Sequence, residues 1–353
     1  MDKLKAPFPW FGGKSRVAAE VWARFGEIKN YVEPFAGSLA VLLGRPHAPG
    51  IETVNDLDGY VANFWRAMTK DPEAVAAFAD WPVNECDLHA RHIWLVGQKE
   101  RFVPRLMGDP DFYDAKIAGW WVWGLCSWIG TGWCSGKGPW VSVDGELVKR
   151  EGAGVHRKRP HLGDAGQGIN RQRPHLGNAG RGINRQRPHL GDAGRGINRQ
   201  RPHLGNTRGS DSRRYWIECL TDRLSGVRVV CGDWSRVLTS TVTTTHPGFT
   251  GVFLDPPYST EDRDDCYVEN SSTVAHDVWK WAIENGSNPK MRIAVCDYED
   301  ARQLPEGWSV YHWSTKGSFA GGSERGRENA KKERIWFSPH CVNVDLNALT
   351  LSP

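Results

Sequence analysis

Short apolar, β-prone runs recur along the chain, each closing on a turn, with helical periodicity between them. Asn30-Tyr31-Val32-Glu33 is the first such run. The small-residue turn Pro34-Phe35-Ala36-Gly37-Ser38 and the apolar stretch Leu39-Ala40-Val41-Leu42-Leu43 follow it. Strand, tight turn and helix in this order predict the first β-turn-α unit of a nucleotide-type sheet. A helix is expected before it, from Ser15 to Phe25. Ile51-Glu52-Thr53-Val54 reads as the second strand, ending at Asn55-Asp56. Helices are predicted over Asp58–Met68, Asp71–Ala79 and Glu85–Met107, the second of them opened by Asp71-Pro72. Another runs from Asp111 into Trp120-Trp121-Val122-Trp123, where Gly124 to Trp133 is expected to break into a glycine-rich loop.

The second half resumes the alternation. A helix over Arg214–Leu224 leads to the strand Val227–Cys231, which ends at Gly232-Asp233-Trp234. Gly251-Val252-Phe253-Leu254 is a short buried strand that stops at Asp255-Pro256-Pro257-Tyr258, because neither proline can donate to a sheet ladder. Asp233 and Trp234 are therefore expected at the tip of a strand neighbouring the one that carries Asp255. Ser259–Ser272 is polar, Val274–Glu284 helical and Met291–Cys296 a strand. Trp308–Trp313 and Glu333–Phe337 alternate like a closing antiparallel hairpin, joined by the polar Gly321–Lys332 stretch.

Between the halves the pattern fails. From Arg159 a 14-residue unit, Arg-Pro-His-Leu-Gly-Asp-Ala-Gly-Gln-Gly-Ile-Asn-Arg-Gln, returns from Arg173, from Arg187 and partly from Arg201. One Leu and one Ile per copy bury too little for a core, and Gly and Pro recur too often for helix. Charge sharpens this contrast. Lys149–Arg214 holds 16 Lys+Arg against 4 Asp+Glu, a local +12, so the rest of the chain carries −8 of the total +4. A neutral-to-acidic body with one strongly basic stretch suits an enzyme that grips a polyanion at one place, with arginines spaced along a phosphate backbone. The plain alternative is a passive surface insertion. His161, His175, His189 and His203 keep a fixed register but have no Cys or carboxylate beside them as ligands.

The eight cysteines form no Cys-x-x-Cys pair, so no metal site is expected. They read as free thiols of a cytoplasmic protein. The Met1–Lys5 start has no signal-peptide core, and Ile117–Gly130 is too short to span a bilayer.

The chemistry concentrates on Asp255. An exocyclic amine of a nucleobase is a poor nucleophile, because its lone pair is delocalised into the ring. Two acceptors, the Asp255 carboxylate and the Pro256 carbonyl, would draw the nitrogen toward tetrahedral geometry, and Tyr258 offers a face for an extruded base. Gly12-Gly13-Lys14 ahead of a helix can hold an anionic or carboxylate group. The turn Ala36-Gly37-Ser38 lets a ligand approach the backbone, and Asp56 at the tip of the second strand is placed for ribose hydroxyls.

Trp10-x-Gly12-Gly13-Lys14, then Glu33-Pro34-Phe35-Ala36-Gly37, then Asp56, then a late Asp255-Pro256-Pro257-Tyr258 resemble the Dam-type (alpha-class) DNA N6-adenine methyltransferases. The likeness covers residues 6–70 and 215–340. It implies an α/β fold with a Rossmann-like S-adenosylmethionine-dependent methyltransferase sheet and an inserted, mostly helical and loop target-recognition region. By position, Trp10 and Lys14 would line the S-adenosylmethionine pocket. Glu33, Phe35, Ala36, Gly37 and Ser38 would approach its methionine part, Asp56 its ribose, and Asp233 its adenine. Asp255, Pro256, Pro257 and Tyr258 would form the catalytic turn, with Asp255 also lining the cofactor site. Leu39 stands where relatives have a second glycine. Trp123-Gly124-Leu125 occupies the place of an aromatic Asn-Gly-Leu segment, and the tryptophans of that loop either stack on bases or form a cluster beneath the recognition region.

The resulting expectation is a catalytic domain of residues 1–80 and 215–353, with a target-recognition region of 81–214 that includes the basic repeats at 159–206. Its partner is DNA, with no membrane and no obligate protein partner. The expected reaction is methyl transfer from S-adenosylmethionine to adenine N6 in DNA, of the restriction–modification kind, by direct transfer to a flipped base. Cytosine N4 is the alternative target, and a non-catalytic DNA-binding protein on the same scaffold the alternative class.

Overall fold

The computed structural model describes residues 4–10, 13–109, 111–128, 133–134, 140–143, 146–149, 218–257, 273–298, 304–313 and 333–344. The 14-residue repeats, Tyr258–Ser272 and Gly321–Lys332 lie outside them. The described strands are β1 (Asn30–Glu33), β2 (Ile51–Asp56), β3 (Trp140–Val143), β4 (Glu146–Lys149), β5 (Val227–Cys231), β6 (Thr250–Leu254), β7 (Met291–Tyr298), β8 (Ser309–His312) and β9 (Glu333–Phe337). Seven of them form one sheet in the order β5-β2-β1-β6-β7-β9-β8, while β3 and β4 pair as a separate antiparallel hairpin. β5, β2, β1, β6 and β7 run parallel, and β9 and β8 are antiparallel. This mixed α/β architecture is compatible with a methyltransferase fold.

The strand order reverses between β1 and β6. From β1 the chain steps outward through β2 to β5, and from β6 outward the other way to β7. A crevice opens outside the carboxyl ends of two parallel strands at such a reversal, and ligands of open α/β sheets bind there. β5 lies beside β2, with β2 and β1 between it and β6, so Asp233 and Trp234 are not at the neighbouring tip that the chain order suggested. Adjacency in sequence fails here because the parallel register of β2 claims β5.

Helices cover both faces. They are α1 (Ala18–Phe25), α2 (Ala40–Leu43), α3 (Gly59–Lys70), α4 (Pro72–Ala79), α5 (Glu85–Gly108), α6 (Ala115–Ser127), α7 over 218–224, α8 (Ser240–Thr243) and α9 (Val274–Gly286). Their starts are written in the sequence. Asp58, Asp71, Asn84 and Asp114 each accept a hydrogen bond from a first-turn backbone N–H, and Pro72 occupies the first turn of α4. The expected Ser15–Phe25 helix is divided into a 3-10 turn, Lys14–Arg16, and α1.

Strand alternation splits the core in two. Tyr31, Phe253, Cys296 and Ile335 belong to the larger cluster with Trp22, Phe25, Trp65 and Trp121, and Val32, Val252, Leu254, Ile293 and Val295 pack with Val278 and Trp279 of α9. Among the described residues, no helix is long and apolar enough to cross a membrane.

Gly124 to Ser127, the start of the expected loop, is instead the last turn of α6, and residues 129–132 of that loop lie outside the described residues. The Trp133 ring lies flat against Gly124, where an added Cβ would come within 1.8 Å of it, and Trp133 Nε1 donates to the Trp121 carbonyl at 2.9 Å. The glycine is selected by that close approach rather than by a turn. Trp121, Trp123, Trp128 and Trp133 are all buried, which resolves the two readings of these tryptophans in favour of the packed cluster.

Candidate active site

The site grows from the turn after β1. Gly37 has φ +45°, and an added Cβ would lie 2.3 Å from Trp10 Nε1, so both the turn and the contact need glycine. Its N–H donates to Asp56 Oδ2 at 2.9 Å, and its carbonyl accepts from Trp65 Nε1 at 2.8 Å. Leu39 follows in the left-handed region at φ 54°, the backbone state that a glycine adopts without strain, yet its side chain is fully buried. Asn55, at the end of β2, ties the turn to its neighbours. Its Nδ2 donates to the Pro34 and Gly232 carbonyls, each at 3.0 Å, while the Asn55 carbonyl accepts from Ala36 N at 2.9 Å.

β6 delivers the second half of the site. Its five residues are all buried, and Asp255 emerges directly beyond Leu254 with Pro256 and Pro257 buried behind it. β1 and β6 run side by side, Val32 opposite Val252, so the Glu33 turn and the Asp255 turn open into the same crevice. Trp10, Gly13, Lys14, Glu33, Phe35, Ala36, Ser38, Ala40, Phe253 and Asp255 line one cleft. Seven residues expected to serve the cofactor therefore share one space: Trp10, Lys14, Glu33, Phe35, Ala36, Ser38 and Asp255.

Lys14 does not stand free in this cleft. Its Nζ lies 2.8 Å from Asp255 Oδ2, with the lysine side chain 4% exposed, and it sits over the Trp313 ring at 5.7 Å. Burial works against the ammonium, but the negative field led by Asp255 outweighs it and raises the Lys14 pKa above its usual value. Glu33 is buried and accepts from the Tyr31 hydroxyl at 2.9 Å. Burial pushes its pKa up to about 8 against the pull of that hydrogen bond. Glu333, at the start of β9, is pushed up to about 7, by burial and against the pull of Lys14.

Asp56 stands one layer behind the cleft. Its two oxygens accept from Gly37 N and Asp58 N, both at 2.9 Å, so it shapes the turn that the cleft is built on. Burial, with Asp58 nearby, lifts it to about 7. Asp233 is exposed and accepts from Ser235 N at 2.9 Å, and the site reaches this corner through Trp234, which stacks on Phe35 at 6.3 Å. Tyr258 and Gly12 lie outside the described residues. Sequence reasoning missed Phe253, Ala40, Asn55, Trp313 and Glu333. Asn55 interrupts an apolar strand, which is a faint signal, but nothing in the local sequence marks Glu333.

Chemically, the cleft combines aromatic faces (Trp10, Phe35), a buried acid, small residues that expose backbone, and a carboxylate on a rigid turn. That donor set fits an amino acid carrying a sulfonium: aromatic faces and carboxylates suit its positive charges. No curated protein matches the chain. Over residues 10–83, from the cleft's Trp10 through β1, β2 and Asp56 to the end of α4, the chain matches the family model of the D12 class N6 adenine-specific DNA methyltransferase.

Proposed function

We propose that this protein is a DNA methyltransferase that moves a methyl group from S-adenosylmethionine to the N6 amine of adenine in DNA, on a Rossmann-like scaffold. The observation that carries the reading is the convergence of the β1 turn and the Asp255-Pro256-Pro257 turn in one cleft at the point where strand order reverses. The family match over residues 10–83 supports it.

In this reading Trp10, Phe35, Ala36 and Ser38 hold the cofactor, with Glu33 toward its amino-acid end. Gly37 and Asp56 keep the turn in shape, Asp56 also standing nearest the ribose, and Asp233 with Trp234 flank the adenine. The cofactor supplies an electrophilic methyl group. Asp255 accepts a hydrogen bond from the adenine amine, and the Pro256 carbonyl accepts the second. The pair localises the nitrogen lone pair toward the incoming methyl, and Asp255 stabilises the positive charge that develops there. Pro256 and Pro257 restrict the turn, so the acceptors are oriented before substrate arrives. Tyr258 stacks on the flipped base. The segment 81–214 serves target recognition, and 1–80 with 215–353 forms the catalytic body.

Single-turnover methylation tests this, with labelled cofactor, saturating DNA and nucleoside analysis. Asp255→Ala is expected to fold, bind DNA, and lose about a hundred- to a thousandfold in rate. A near-wild-type rate removes this turn from the chemistry, and label recovered as N4-methylcytosine changes the target.

A further inference from the structure

β2 lies between β1 and β5 in the sheet. The turns that follow those two flanking strands are the ones read above as holding the two ends of the cofactor: the 34–38 turn after β1, and Gly232-Asp233-Trp234 after β5. Asn55, next to last in β2, reaches both. Its Nδ2 donates at 3.0 Å to the Pro34 carbonyl and at 3.0 Å to the Gly232 carbonyl. Each acceptor belongs to the first residue beyond its strand, and both residues are buried. The backbone repeats the arrangement. Ala36 N donates to the Asn55 carbonyl at 2.9 Å, and Gly232 N donates to the Asp56 carbonyl at 3.2 Å. Across β2, Phe35 of one turn stacks on Trp234 of the other.

A side-chain amide carries two N–H donors on one nitrogen, so Asn55 gives one to each turn. Chemistry fixes this orientation, because the flipped amide would set its oxygen against two carbonyl oxygens. Asn55 is 1% exposed, and its Oδ1 has no hydrogen-bond partner. A buried polar atom left unsatisfied is costly, so the side chain stands here for its donors. Leucine at this position would strand both carbonyls, and aspartate would face them with acceptors only.

We propose that Asn55 is a positioning residue of the cofactor site: its amide sets the spacing between the β1 turn and the β5 turn, so that one ligand engages both at once. Asn55 acts through the Pro34 and Gly232 carbonyls. A ligand with two linked ends gains from the linkage only where its two subsites stand at its own span. The inference rests on the two turns holding the two ends of S-adenosylmethionine.

The test compares the linked ligand with its halves. Wild type, Asn55→Leu and Asn55→Ser are titrated without DNA against S-adenosylmethionine, and against adenosine and methionine separately. Asn55→Leu keeps the volume and removes both donors, while Asn55→Ser is smaller and leaves one hydroxyl. Each variant is expected to bind S-adenosylmethionine about tenfold more weakly or worse, with the affinity for each half changed by less than about twofold. The single-turnover rate at saturating cofactor and DNA stays near that of wild type, because the pairing of β1 with β6 that brings the Asp255 turn to the cleft is untouched. A general loosening of the site would lower that rate as well. Unchanged S-adenosylmethionine affinity in a folded variant overturns the proposal. So does an equal loss for either half, which makes Asn55 part of one subsite, or a rate that falls as far as the affinity. Failure of both variants to fold also overturns it, since the amide then holds the fold and not the spacing. A wild-type protein that binds no S-adenosylmethionine defeats the cofactor reading and this inference with it. Wild-type binding matched by both variants leaves that reading standing and removes Asn55 alone.

Discussion

Three carboxyl groups, those of the buried Glu33 and Glu333 and the half-buried Asp56, share an unusual property: each holds its proton to higher pH in the folded protein than in the unfolded chain. Burial lifts Glu33 from 4.5 to about 8, Asp56 from 3.8 to about 7 and Glu333 from 4.5 to about 7. As pH rises, the unfolded chain releases these protons first, so the native state loses relative stability until its own groups ionise. His92 works the other way. Burial lowers it from 6.5 to about 4, so its neutral form favours the native state increasingly up to about pH 6.5. The opposing effects overlap below that point, and the carboxyl effect stands alone above it. Tm is therefore expected to fall between about pH 6.5 and 8, and Glu33→Gln to flatten that fall. An unchanged slope in the variant assigns the pH dependence elsewhere. Lys14, which the sequence offers as a holder of an anionic or carboxylate group at a helix start, is paired with the Asp255 carboxylate.

At the scale of the element, the β1–α2 turn carries a conflict between backbone and side chain. Leu39 adopts φ 54° while its side chain is fully buried. A non-glycine residue in that region costs about 1–2 kcal/mol, whereas truncating a buried leucine costs about 2–5 kcal/mol. The side chain wins, which is why leucine is tolerated in a backbone state that glycine adopts without strain. Leu39→Ala keeps the strain and loses the packing. Leu39→Gly loses the packing but relieves the strain. Chemical denaturation should find both less stable than wild type, with Leu39→Gly the more stable of the two by about 1 kcal/mol. In ordinary helix or strand the order is the reverse, alanine exceeding glycine by about 0.5–1 kcal/mol. Finding that ordinary order here would show that the left-handed state is not strained.

For the whole molecule, the charge is uneven: a local +12 over Lys149–Arg214 against −8 elsewhere. If the repeats hold phosphates, deleting residues 159–200 should leave S-adenosylmethionine binding intact and reduce the dependence of DNA affinity on salt, because fewer counterions are released. Binding titrations across a salt series measure this. An unaltered slope makes the segment a passive insertion, and loss of folding gives it a share of the core.

The sequence by itself determined most elements and the two halves of the cleft. Period-2 and helical patterns, capping residues such as Asp58 and Asp71, and the Pro256-Pro257 stop are local signals, and local forces decide them. The antiparallel pairing of β8 with β9 was legible from the same alternation. Tertiary structure decided what depends on distant neighbours. Gly124 looked like a loop former because only the fold brings Trp133 onto it. β5 was placed beside the Asp255 strand because chain order carries no information about which parallel register wins, and β2 took it. Lys14 and Glu333 stand more than three hundred residues apart in sequence. Their shared surroundings with Asp255 arise only when β6, β7 and β9 align. Electrostatic partnership depends on separation in space and on burial, and a linear pattern encodes neither.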